Sequence, residues 1–195
     1  MKNYSKKEGI TIKDKIIIAT AGMPGSGKGA FQRIFQRMGY PVVIMGDEVR
    51  EEAKRINHTP TPENLGKIMI QLRESDGPAA IAKRCIPKLK KKTEKIVGID
   101  GIRSLSEVNE FQKHFPHFVT IAIHASPQTR YERLSRRKRS DDPQNWETFS
   151  QRDQRELGVG MGDVIATANY MIVNEGSLNQ LKRKIHQILK EELSE

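Results

Sequence analysis

Residues 16–30 read Ile-Ile-Ile-Ala-Thr-Ala-Gly22-Met23-Pro24-Gly25-Ser26-Gly27-Lys28-Gly29-Ala30. A short apolar strand runs straight into a glycine-rich loop ending in Gly-Lys, and the helix-like residues Phe31–Met38 follow. Backbone N–H groups converge on a polyphosphate only where side chains leave the approach open. Glycines at 22, 25 and 27 with a cation at Lys28 therefore describe a phosphate cradle. The strand before and the helix after separate it from a glycine-rich turn that happens to carry a lysine. Ser or Thr normally follows the lysine as a Mg²⁺ ligand. Gly29 takes that place here, so a metal would be held mainly through waters and phosphate oxygens.

The chain has 195 residues, enough for one α/β domain that buries roughly 70% of the unfolded chain's surface without metals or disulfides. A single domain over 1–195 is expected. Lys and Arg number 34 against 24 Asp and Glu, a formal charge of +10. That balance implies an acidic partner, and a phosphorylated small molecule satisfies it as well as nucleic acid does. Cys85 is the single cysteine, which excludes an intramolecular disulfide and fits a reducing cytosol. The apolar runs are strand-sized and Met1–Glu8 lacks the apolar stretch of a signal peptide, so a cytoplasmic protein without a membrane span is expected.

Apolar runs at Ile16–Ala21, Val42–Met45, Ile96–Asp100, Phe118–Ile123 and Tyr170–Val173 alternate with stretches of helical period. Five strand–helix repeats predict a three-layer α/β/α fold around a five-stranded parallel sheet. Residues 1–15 read as a polar lead-in. Between the second and third strands, Glu48–Ile56, a start at Thr61-Pro62 and a further one at Gly77-Pro78 predict a helical insertion over 57–92 that caps one side of the site. The densely basic Arg130–Arg139, followed by the turn signal Ser140-Asp141-Asp142-Pro143, reads as a mobile flap within a lid over 130–155. Leu178–Leu193 has the spacing of an amphipathic closing helix.

The chemistry-bearing side chains cluster at strand ends, where open α/β sheets bind ligands. Asp47 and Arg50 lie three apart after the second strand and could dock a phosphorylated or ribose-bearing molecule; the plainer alternative is a helix-capping Asp beside a solvated Arg. Asp100, ending the third strand, could order a metal's waters or cap the Ser104–Phe115 helix, while Arg103 reaches toward phosphate. Phosphoryl transfer needs positioning, positive charge and exclusion of water, and the arginines of 130–139 with Arg152 and Arg155 would supply the charge unless they form a solvated helix face. The histidines at 58, 114, 117, 124 and 186 lack metal-ligand spacing.

Gly22-x-Pro24-Gly25-Ser26-Gly27-Lys28-Gly29 resembles the adenylate kinase form of the phosphate loop, which also carries Gly after the Lys. Gly46-Asp47-x-x-Arg50 resembles that family's acceptor motif, Asp100-Gly101-x-Arg103 its Asp-Gly-x-x-Arg with one residue fewer, and Arg139-x-Asp141-Asp142 its lid motif. Ala168–Leu178 is similar instead to the last strand and loop of dephospho-coenzyme A kinases. Taken whole, Ile16 to about Leu189 most closely resembles an archaeal P-loop kinase-like family related to dephospho-coenzyme A kinase, on Met45-Gly46-Asp47, Pro62-Glu63-Asn64-Leu65-Gly66, Lys83-Arg84-Cys85-Ile86-Pro87, Asp100-Gly101-Ile102-Arg103-Ser104 and His124-Ala125-Ser126-Pro127. The resemblance implies a kinase using ATP and Mg²⁺ on a nucleotide-like, phosphorylated acceptor. The loop from Gly22 through Gly29, Met23, Pro24 and Ser26 included, would hold ATP. Asp47, Arg50, Asp100 and Arg103 would bind acceptor, and Lys28, Arg103, Arg139 and Arg152 would act on the moving phosphoryl, with no direct protein ligand to the metal. A nucleotide-dependent RNA-binding protein with slow hydrolysis is the other reading, although Tyr131 is the single ring its basic flap offers for stacking.

Overall fold

The computed structural model describes residues 11–137 and 142–193. Five strands, β1 (Ile16–Ala21), β2 (Val42–Ile44), β3 (Ile96–Asp100), β4 (His117–His124) and β5 (Tyr170–Val173), form one sheet in the order β2-β3-β1-β4-β5. Every pairing is parallel. The helices are α1 (Lys28–Arg37), α2 (Met45–Arg55), α3 (Pro62–Asp76), α4 (Ala80–Lys91), α5 (Leu105–His114), α6 (Pro127–Arg137), α7 (Trp146–Gly158), α8 (Met161–Ala166) and α9 (Leu178–Leu193).

Burial on both faces explains why the strands read as continuous apolar runs rather than alternating ones. In β1, Ile17, Ala19 and Ala21 face a core completed by α2, α3, α4, α5 and α8, while Ile16 and Ile18 face Phe31 and Phe35 of α1 and Leu181, Ile185 and Leu189 of α9. The expected strands and closing helix are present within a residue at each end. None of the helices among the described residues is long and apolar enough to cross a membrane.

The structure refines two of these expectations and corrects a third. The lead-in over 1–15 ends in structure: Thr11 caps a 3₁₀ turn at Ile12–Asp14, and Lys15, 1% exposed, sends its ammonium to the carbonyls of Lys92 and, at 3.2 Å, Glu94 beyond the end of α4. The 57–92 insertion is helical as expected, yet α4 is a core layer, with Ile81, Cys85, Ile86 and Leu89 buried against the sheet. Burial pushes the Cys85 thiol well above its usual range, which keeps it protonated and inert. Helix α6 is no loose flap. Arg130 is 4% exposed, and its guanidinium donates to Asp153 at 2.8 Å, to the Ala125 carbonyl at 3.1 Å and to the Pro24 carbonyl at 3.2 Å. Burying a guanidinium is unfavourable unless its donors are met, and here a bidentate carboxylate and two carbonyls meet them. Arg130 therefore ties α6 to α7 and to the phosphate loop.

Candidate functional site

Chain order places the site. The loop after β1 leads by α1 toward β2 at one edge, whereas the loop after the adjacent β3 leads by α5 to β4 on the other side of β1. α1 and α5 thus cover opposite faces, and a crevice opens between the carboxyl ends of β1 and β3, the topological switch point of an open sheet. It widens into a cavity of about 720 Å³, within the range of small-molecule sites.

The loop from Gly22 to Lys28 forms one wall. Gly25 has φ +82° and Gly27 φ +114°, a region side chains rarely adopt. Close neighbours add a second reason: a Cβ on Gly25 would lie 2.7 Å from the Arg130 carbonyl oxygen, and one on Gly27 would strike the Asn174 amide. Asn174, buried at the end of β5, donates its amide to the Ser26 carbonyl at 2.8 Å, and Arg133 donates to the Asn174 carbonyl at 2.8 Å and to the Ser26 carbonyl at 3.4 Å. Glu175 accepts from the Ser126 N–H and, at 2.6 Å, from the Thr129 hydroxyl, fastening the β5–α9 loop to the start of α6. The phosphate loop is thus moulded by α6 and β5 before any ligand arrives.

Lys28 opens α1 and turns its ammonium back onto the Gly22 carbonyl and, at 3.3 Å, the Met23 carbonyl. Burial lowers its pKa to about 8, against the opposing pull of Asp100 and Glu156, with Arg103 and Arg152 lowering it further. A phosphate arriving at the loop would supply the negative charge this ammonium lacks. Across the crevice Thr20 and Asp100 are register partners on β1 and β3, and the Thr20 hydroxyl donates to Asp100 at 3.0 Å. This carboxylate with its oriented hydroxyl suits a second-sphere role around a hydrated cation, whose direct ligands would be phosphate oxygens and water.

Glycines 22, 25, 27 and 29, Pro24, Lys28, Arg50, Asp100, Arg103 and Arg152 all lie on the cavity wall, so the structure gathers most of the sequence-derived residues into one place. Met23 and Ser26 are buried under the loop and contribute backbone; the Ser26 hydroxyl has no hydrogen-bond partner. Asp47 is not on the wall but accepts from Arg50 at 2.6 Å, a half-exposed pair within the first turns of α2. Arg139, with Ser140 and Asp141, lies outside the described residues. Arg103 sits 3.4 Å from Glu156, and Arg152 4.0 Å from Asp142, whose buried carboxylate also accepts from Arg137 at 3.0 Å.

Sequence reasoning passed over several wall residues. Glu107, 0% exposed, accepts from Arg73 at 3.0 Å and from the Arg103 N–H at 2.8 Å. Ser104-x-x-Glu107 has the spacing of a capping box, and that signal could have marked Glu107. Glu156, Arg33 and Arg73 also line the cavity, and nothing in their local sequence separates them from solvated helix faces; Arg133 and Arg137, from the basic run expected to supply charge, line it too. Tyr131 lies edge-on to Trp146 and Phe149, with ring centroids 5.3 Å and 5.6 Å away. Among the described wall residues, eight cationic side chains stand against three carboxylates, a field suited to a polyanion.

Comparison with known proteins agrees with this architecture. Residues 21–150 match the family model described as an AAA domain. A solved shikimate kinase from Acinetobacter baumannii, in complex with shikimate, shares the fold at 18% identity, with a TM-score of 0.56 over 91% of this chain and 94% of that one. A gluconokinase from Sinorhizobium meliloti does so at 16% identity, with a TM-score of 0.53 over 89% and 90%. A UPF0200 protein from Thermococcus sibiricus is 51% identical over 177 residues, spanning 89% of this chain and 93% of that protein. With its phosphate loop, five-stranded parallel sheet and this degree of identity over nearly the full length of both chains, the protein belongs to the UPF0200 family of archaeal P-loop kinase-like proteins.

Proposed function

We propose that this protein is a phosphotransferase that moves the γ-phosphoryl group of ATP onto a small phosphorylated acceptor. The observation that carries the reading is that Lys28 and its moulded loop line the same cavity as Asp100 and Arg103. Phosphoryl transfer asks little covalent chemistry of a protein, so a pre-set cradle and converging cations are most of what is required.

In this reading Lys28 and the loop amides hold the β- and γ-phosphates. Arg103 and Arg152 neutralise charge on the moving group, and Arg50, with Asp47 fixing its guanidinium, grips the acceptor. Asp100 and Thr20 would hold the hydration shell of Mg²⁺, which when bound would offset phosphate charge. Arg139 belongs to this set by its motif alone. The nucleotide-like acceptors implied by the sequence resemblance come first in a test: AMP, CMP, UMP and dephospho-coenzyme A, each with ATP and Mg²⁺, followed by ADP release. Acceptor-dependent ADP release that disappears in Lys28→Ala supports transfer. Release indifferent to every acceptor, together with salt-sensitive RNA binding, would favour the nucleotide-dependent RNA-binding reading instead.

A further inference from the structure

The phosphotransferase reading leaves one buried charge pair unused. Arg73, in the last turn of α3, lines the cavity with 19% of its side chain exposed, and among the described residues its guanidinium donates to Glu107 alone. Its remaining N–H groups have no partner among the described residues and are not buried. Glu107 is fully buried, and its second oxygen is taken by the Arg103 N–H at 2.8 Å. The carboxylate is therefore held from both sides, and it fixes one edge of the Arg73 guanidinium at the cavity wall. A bidentate fork with free donors at a cavity wall matches a phosphate or carboxylate.

The surroundings narrow what such an anion is attached to. Beside Arg50 and Arg73, the side chains that α2, α3, α4 and α8 present to the cavity are Met45, Val49, Met69, Ile81 and Met161. Among the described residues, these four helices offer it no amide, hydroxyl or aromatic side chain. Recognition of a nucleobase uses polar groups matched to its edge or a ring to stack on. The cavity's amide side chains, Gln32 and Gln36, stand instead on α1, the helix that begins at Lys28.

We propose that Arg73, oriented by Glu107, anchors an anionic group of the acceptor, and that the acceptor body lying against α2, α3, α4 and α8 is aliphatic. The proposal rests on the phosphotransferase reading and deepens it by naming a substrate class, a small aliphatic molecule bearing a phosphate. Arg73 touches the acceptor, and Glu107 is a positioning residue.

Butyl phosphate is the probe, titrated by calorimetry into protein saturated with Mg²⁺ and the non-hydrolysable analogue AMP-PNP, so that the phosphate loop is already filled. The wild-type protein should bind it saturably and more tightly than AMP. Arg73→Met, which keeps the aliphatic stem, should weaken butyl phosphate at least tenfold while leaving AMP-PNP affinity unchanged. Glu107→Gln should weaken it as well, and the double variant should be no worse than Arg73→Met alone, because the carboxylate acts through the guanidinium. Unchanged butyl phosphate affinity in folded Arg73→Met, absence of saturable binding to the loaded wild-type protein, or tighter binding of AMP would overturn the proposal and leave ATP binding standing. Failure of AMP-PNP itself to bind would remove the phosphotransferase reading, and this inference with it.

Discussion

Lys28 concentrates the chemistry of the site in one titratable group. Its pKa, lowered to about 8 mainly by burial, means that the empty protein sheds this proton within the working range of many enzymes. The unfolded chain holds the same proton up to about 10.5. Between those values the unfolded state binds more protons, so this group makes stability of the empty protein rise with pH across that window. Bound phosphates favour the ammonium and reverse the balance. ATP binding at about pH 8 should take up a fraction of a proton and weaken as pH rises further, which titration calorimetry in two buffers of different ionisation enthalpy will read; no dependence on buffer would show that Lys28 is already fully charged. Lys28→Ala should fold and lose roughly 2–4 kcal/mol of stabilisation of the transferring group, measured as the drop in kcat/KM; equal turnover would remove Lys28 from the mechanism. Glu107 is the other decisive residue. Truncation of one partner of a buried pair typically costs about 3–5 kcal/mol, and because Arg73 keeps some contact with water, Glu107→Ala should fall near the lower end, about 3 kcal/mol, in denaturant unfolding.

At the scale of elements, α6 and α7 are tied where the sequence suggested a flap. Ten residues dense in arginine read as mutually repelling, and the partners that quench the repulsion lie far along the chain: Asp153 for Arg130, Asn174 and Ser26 for Arg133. No local pattern announces such long-range pairs. Strand positions were legible because burial on both faces imposes near-continuous apolar runs, and α9 because its apolar spacing spans the whole helix. α7 and α8 were not, since each rests on a short apolar face, Phe149 in one and Met161 with Val164 in the other. Hydrogen exchange should separate the roles of these helices. Amides of α6 within 127–137 should exchange slowly with or without ligand, because Arg130 and Arg133 hold the helix to the phosphate loop. Those of α7 within 146–158 should slow when ATP-Mg²⁺ binds, as Arg152 acquires phosphate oxygens. Equal exchange of α7 in the two states would leave Arg152 a structural partner of Asp142 and take it out of the catalytic set.

Over the whole molecule, the parallel sheet sets two loops side by side, the cradle after β1 and Asp100–Arg103 after β3, and the helices of the two faces enclose what lies between them. The cradle could be read from residues 16–30 alone because phosphate binding by backbone requires glycine at fixed places. The other half could be read only in part: Arg50 and the helical insertion over 57–92 were expected at the site, whereas an isolated arginine such as Arg73 has the same local signature whether it faces solvent or a cavity. The central claim, transfer of a phosphoryl group from ATP, is tested most directly by ³¹P NMR of the protein with ATP, Mg²⁺ and a panel of nucleotide and aliphatic phosphate acceptors. The account predicts that one acceptor yields a new phosphorus resonance in step with ADP, without matching inorganic phosphate, and that the signal is lost in Lys28→Ala. Inorganic phosphate and ADP alone with every acceptor, or ATP left intact throughout, would contradict it.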